Sequence, residues 1–122
     1  MIQRRPRQKI AAHLSFLREL PCLVCGNPIE TEAAHLRFSD ARIAKFNAGV
    51  GSKADDFFCV PLCGKHHREQ HGIGDERKFW KRYGIDAVLY ALRLWSCTGN
   101  HELGCQVVAA AIQSRSSVLM AG

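Results

Sequence analysis

Cys22 and Cys25 stand with two residues between them in CLVCG, and Cys63 and His66 repeat that gap about forty positions later; no other feature constrains this chain as much. Tetrahedral zinc needs four soft or borderline ligands converging from two stretches of chain, and a two-residue gap lets one tight turn aim both ligands at one point. The pattern therefore predicts a chain that folds back on itself around a structural ion. Buried free cysteines are the competing explanation, and Cys59, Cys97 and Cys105, which lack such spacing, are read in that way as core or surface thiols. Six cysteines also suit disulfides, but a cytosolic chain keeps its thiols reduced, and cysteines spaced this way beside histidines are better explained by metal. Cys63 and His67 lie four apart on the expected helix and also suit a shared ion, so spacing alone does not choose between His66 and His67. His66 is assigned to zinc because using His67 there would strand His71 without its helical partner.

At 122 residues the chain fits one domain with a modest core, of a size that gains from a metal staple. No signal-peptide pattern and no apolar run of ~18 residues is present, so the expectation is a soluble cytoplasmic protein. The formal charge of +6 is unevenly placed, with Arg4, Arg5, Arg7 and Lys9 at the start and no acidic residue before Glu19. Such an arm suits a polyanion such as DNA, although basic termini are often only solvated.

Residues 1–8 are expected to form a flexible arm, and 9–122 a single domain with its metal core at about 22–84, helices over 85–113 and a polar tail. Ile10, Leu14, Leu17 and Leu20 recur at helical spacing until Pro21. CLVCGN reads as a knuckle, ETEAAHL as a short strand ending near His35, and residues 37–54 as a long loop with a helical turn at ARIAKF. FFCVPL reads as a second strand, and CGKHHREQH as a helix up to Gly72. Asp75 caps a helix carrying Phe79, Trp80 and Tyr83; Asp86 opens another over Ile85 to Trp95; and QVVAAAIQ is a last short helix after SCTGN. The fold class is α+β, a zinc core with a small two-stranded sheet and flanking helices.

His67 and His71 sit four apart, so on a helix both imidazoles project from one face and can grip one ion. The bland alternative is a solvated helix face. Adjacent His66 and His67 thus allow two centres, a closed structural zinc and an open second metal. Taken together, CLVCG, EAAHLR, KADDFFCVPLC and HHREQH resemble the HNH (ββα-metal, treble-clef-like) nuclease superfamily, most closely the phage-encoded Ref-like nucleases, over roughly Cys22 to Gly84. The resemblance implies a metal-dependent endonuclease for DNA, serving phage or prophage recombination or DNA processing, with a recombinase filament as a candidate partner.

Carried over by motif, His35 becomes the general base, and His67 and His71 ligands of a catalytic Mg2+ or another divalent ion. A neutral imidazole with pKa near ~6.5 can take a proton from water at physiological pH. Arg37, Lys53 and Arg68 become candidate phosphate contacts beside the arm's arginines. The sequence departs from the pattern in two places. Many superfamily members carry a ligating Asp or His just before the base, where this chain has Ala34; the ion then has two protein ligands plus water, or recruits a carboxylate such as Asp56 or Glu32. The usual Asn that orients the base is missing near Phe58; Asp55 or Asp56 can replace it, and Asp56 is favoured. These departures leave two rivals, a zinc-containing DNA-binding module without catalysis and a treble-clef module for protein partners.

Overall fold

The computed structural model describes residues 6–38 and 58–121, with side chains over 10–38 and 58–115. The expected turn at ARIAKF, the candidate residues Arg4, Arg5, Lys53, Asp55 and Asp56, and the Arg7 side chain lie outside these described parts. Among the described residues the order is α1 (Pro6–Arg18), β1 (Thr31–His35), β2 (Cys59–Cys63), α2 (Gly64–Gly72), α3 (Glu76–Tyr83), α4 (Ala87–Ser96) and α5 (His101–Ala121). This is an α+β fold of five helices and one two-stranded antiparallel sheet.

α1 starts at Pro6, earlier than the expected arm allowed, because a proline at the first helical turn lacks only an N–H that would go unpaired there. The helix buries Phe16 and Leu17, and Leu20 just past its end joins them in the core. β1 and β2 pair with Thr31 opposite Cys63 and His35 opposite Cys59. Pro61 sits inside β2, and its carbonyl accepts from the Leu23 N–H at 2.8 Å on behalf of the knuckle. The main-chain groups of the CLVCG segment are thus tied directly to the sheet.

α2 follows β2 without a linker, so the strand's last residue, Cys63, is also the residue before the helix. α3 is capped by Asp75, whose carboxylate accepts from the Arg77 N–H at 3.1 Å, and it ends on Gly84 at φ +65°, a left-handed stop that suits glycine. α4 is capped by Asp86. Leu23, Val24, Val60, Leu62, Phe79, Val88, Leu94 and Val108 fill the core between knuckle, sheet and helices.

The C-terminal part departs from expectation. α5 runs from His101 to Ala121, where the sequence suggested a helix of eight residues and a polar tail. The Asn100 side chain accepts from the Leu103 N–H at 3.1 Å, which opens the helix a turn and a half before the apolar run. No helix among the described residues is long and apolar enough to cross a membrane.

Candidate metal centre

Cys22, Cys25, Cys63 and His66 converge, with one ligand atom from each lying within 4.8 Å of all the others. Cys25 Sγ is 3.9 Å from Cys63 Sγ, and the His66 Nδ1 atom is 3.2 Å from Cys63 Sγ and 3.7 Å from Cys22 Sγ. Zinc bonds of ~2.3 Å to sulfur and ~2.0 Å to nitrogen at tetrahedral angles imply ~3.8 Å between sulfurs and ~3.5 Å between sulfur and nitrogen. The four donors therefore fit a structural zinc site, and His66, not His67, is the histidine that meets the sulfurs.

The local fold explains the convergence. The turn from Cys22 to Gly26 is closed by the Gly26 N–H donating to the Cys22 carbonyl at 2.8 Å, and the Val24 N–H donates to Cys22 Sγ at 3.4 Å. Gly26 takes φ +77°, which an L side chain rarely adopts. From the other side, the β2–α2 junction offers Cys63 and, one helical turn on, His66. Burial pushes the Cys22 thiol up to about 11. Cys63 feels desolvation too, but hydrogen bonds, led by the His66 N–H and followed by the Cys22 and Cys25 thiols, outweigh it and bring its thiol below the usual range. Burial also lowers His66, which favours the neutral imidazole a metal needs. The His66 ring is held edge-on by Tyr83 at 5.6 Å, and the Tyr83 hydroxyl donates to Glu69.

One position further along α2 lies a second group. Successive residues turn about 100° around a helix, so His67 and His71 form a stripe beside the buried one of His66 and Gln70. The Nε2 atoms of His67 and His71 are 3.1 Å apart, and His67 Nδ1 lies 2.5 Å from Glu32 Oε1. Glu32 and His71 thus occupy opposite nitrogens of one ring. These three do not all approach one another as the zinc donors do; that degree of convergence belongs to the Cys22, Cys25, Cys63, His66 group among the described residues.

Glu32 reaches α2 from β1, and strand alternation puts Ala34 on that same face. The position next to His35 therefore faces the helix but offers only a buried methyl group. His35 is turned to the opposite face from Glu32, is half-buried, and has its carbonyl held by the Gln70 amide at 3.2 Å.

Sequence reasoning missed Glu76. Its carboxylate accepts from the Arg37 N–H at 3.0 Å, from Gln70 at 2.9 Å and from the Trp80 indole at 3.0 Å, tying the end of β1 to α2 and α3. Nothing in the sequence distinguished it from a helix-opening acid beside the Asp75 cap. A cleft of about 530 Å³ opens there, lined by Arg37, Phe38, Gln70, His71, Glu76 and Arg77. Arg68 is exposed on α2 next to His67.

Fold and site together define an α+β domain with a Cys3His cluster compatible with a structural zinc site, and a histidine pair on the adjoining stripe of the same helix. Residues 1–97 match the DUF968 family, described as proteins of unknown function, and the chain belongs to that family. It is similar to YdfU of Escherichia coli (strain K12), an uncharacterized protein, at 34% identity over 88 residues, which is 72% of this chain and 23% of YdfU. The chain thus spans less than a quarter of that relative's length. No solved structure matches it.

Proposed function

We propose that this chain is a ββα-metal nuclease domain of the HNH type that hydrolyses phosphodiester bonds in DNA. The observation that carries the reading is the 3.1 Å separation of the His67 and His71 Nε2 atoms, the spacing of two adjacent ligands on one ion, on a partly exposed stripe of the helix that follows two antiparallel strands. Two bonds of ~2.0–2.1 Å at angles between octahedral and tetrahedral place such nitrogens ~2.9–3.4 Å apart. Neutral His67 and His71 fit a divalent ion such as Mn2+ or Zn2+ better than Mg2+, which prefers oxygen ligands. When bound, the ion supplies a positive charge that polarises a phosphodiester and offsets charge on the departing oxygen.

In this reading His35 takes the proton from the attacking water, and Gln70 fixes its main chain beside α2. Asp56 is the proposed orienting carboxylate for that base. Arg37, Arg68, Lys53 and the arginines Arg4, Arg5 and Arg7 hold phosphates without reading bases. A phage or prophage recombination role, with a recombinase filament as partner, rests on the resemblance to Ref-like nucleases alone.

A second reading, a zinc-containing DNA-binding module without catalysis, is favoured by Ala34 at the ligand-bearing position and by the strand alternation that turns His35 away from the Glu32 face. Plasmid nicking with Mn2+ or Mg2+ separates the two. The nuclease reading expects nicking that is abolished in His35→Ala and in His67→Ala and by chelator. DNA retardation with no nicking by the zinc-loaded wild-type protein in any divalent ion sinks it in favour of the module.

A further inference from the structure

The notable feature of the second group is the position of Glu32. Its side chain is half exposed, at 52%, whereas His67 is exposed to only 21%, so the imidazole is the packed partner and the carboxylate comes to it from solvent. An ionised carboxylate only accepts hydrogen bonds. Its approach to Nδ1 therefore requires the His67 proton to sit on Nδ1. The lone pair of a neutral His67 is then left at Nε2, the atom that faces His71 Nε2.

Two further details hold the carboxylate in place. Glu32 lies over the start of α2, where a methyl group added to Gly64 would stand 3.7 Å from Glu32 Oε2 and 3.1 Å from Arg68 Nη1. Gly64 thus leaves room for the Arg68 guanidinium, and the positive end of the α2 dipole favours a carboxylate there. The pairing of Glu32 with Leu62 in the sheet fixes the main chain from which the carboxylate reaches across.

We infer that Glu32 is a positioning residue for divalent-cation binding at His67 and His71: it does not ligate the ion but fixes the ring and tautomer of His67 so that Nε2 is presented as a ligand. Resting on the nuclease reading, the inference supplies from β1 a carboxylate acting through His67, where Ala34 on the same face provides no ligand. A carboxylate behind a metal-binding imidazole orients the ring and raises its basicity, and losing one typically weakens metal binding 10–100-fold.

The test is Mn2+ binding to the zinc-loaded 122-residue chain, followed by calorimetry, for wild type, Glu32→Ala, Glu32→Gln and His67→Ala. Long-range proton–nitrogen NMR correlations report the His67 tautomer, and the zinc content of each variant reports its fold. Wild type should bind one Mn2+ with His67 protonated at Nδ1, and His67→Ala should bind none. Glu32→Ala should bind ~10–100-fold more weakly and lose the Nδ1 preference, while Glu32→Gln, still an acceptor, falls in between. Zinc should stay at one per chain throughout. If Glu32→Ala binds Mn2+ within twofold of wild type while His67→Ala binds none, the role of Glu32 is wrong and the metal site stands. If wild type binds no second ion, the metal site itself fails, and the role of Glu32 with it.

Discussion

His13 is fully buried in α1, an unusual place for an imidazole, with its ring edge-on to Trp95 at 4.8 Å. Its Nδ1 lies 2.8 Å from the Thr98 hydroxyl oxygen, and that hydroxyl already donates to the Trp95 carbonyl at 2.8 Å. The hydroxyl can therefore only accept from His13, which places the proton on Nδ1 and leaves Nε2 as a buried acceptor without a partner among the described residues. Burial lowers His13 to about 4. The unfolded chain, with an ordinary histidine near ~6.5, thus takes up the proton first as pH falls. The neutral core imidazole is compatible with full stability above ~6.5, and stability drains between there and about 4. Integrating to pH 5, the loss attributable to this group is about 2 kcal/mol. Zinc release overlaps that window, so the informative quantity is a difference. In urea unfolding at pH 7 and pH 5, His13→Leu should lose about 2 kcal/mol less than wild type, since Thr98 keeps its bond to Trp95. Equal losses would show that His13 is not held neutral in the core.

At the scale of elements, helix packing is decided by where a side chain is missing. Gly104, in the first turns of α5, lies against α1, and a methyl group there would come within 2.8 Å of both Leu20 Cδ2 and Phe16 Cζ. Glycine in a helix ordinarily costs about 1 kcal/mol relative to alanine. Here overpacking of two buried side chains, at about 1–3 kcal/mol, outweighs that gain. Gly72, the last residue of α2, has open space around its Cα. Gly104→Ala should therefore lower the free energy of unfolding by about 1 kcal/mol, and Gly72→Ala, at a helix end, should raise it by less than that. Matching signs in thermal or urea unfolding would refute this account of the α1–α5 contact. The same contrast explains what the sequence could disclose. The knuckle, the caps Asp75 and Asp86 and the four-residue spacing of His67 and His71 are local patterns, set by turn and helix geometry. Glu32 and Glu76 act across 35 and 39 residues of chain, on His67 and on the Arg37 N–H respectively, and no local period encodes such reach. The early start of α5 rested on Asn100, whose capping competed in the sequence with a plain reading of SCTGN as a turn.

Across the whole molecule, α5 lies beyond the residues matched by the family yet closes over the metal knuckle. Ile112 packs within 3.3 Å of the place a Gly26 side chain would take, and Arg115 Nη1 donates to the Val24 carbonyl between Cys22 and Cys25 at 2.5 Å. The same guanidinium stands 6.0 Å above the Tyr83 ring, which in turn flanks His66. One side chain thus joins the CLVCG turn to Tyr83 on α3, the ring that flanks His66 on α2. Because a structural zinc site scarcely exists in the unfolded chain, whatever holds its two halves together contributes to ion affinity as well as to folding. A hydrogen bond from a charged donor is worth about 1.5–3 kcal/mol, or roughly a tenfold change in affinity or more. Arg115→Ala should therefore release zinc to a chromophoric chelator at least several-fold more readily than wild type and melt at a lower temperature. Arg115→Lys, which keeps the charge but not the planar fork, should recover only part of the difference. Zinc release and melting unchanged in Arg115→Ala would mean that α5 merely rests on the knuckle, and that the Cys3His centre is held by the knuckle, the sheet and α2 alone.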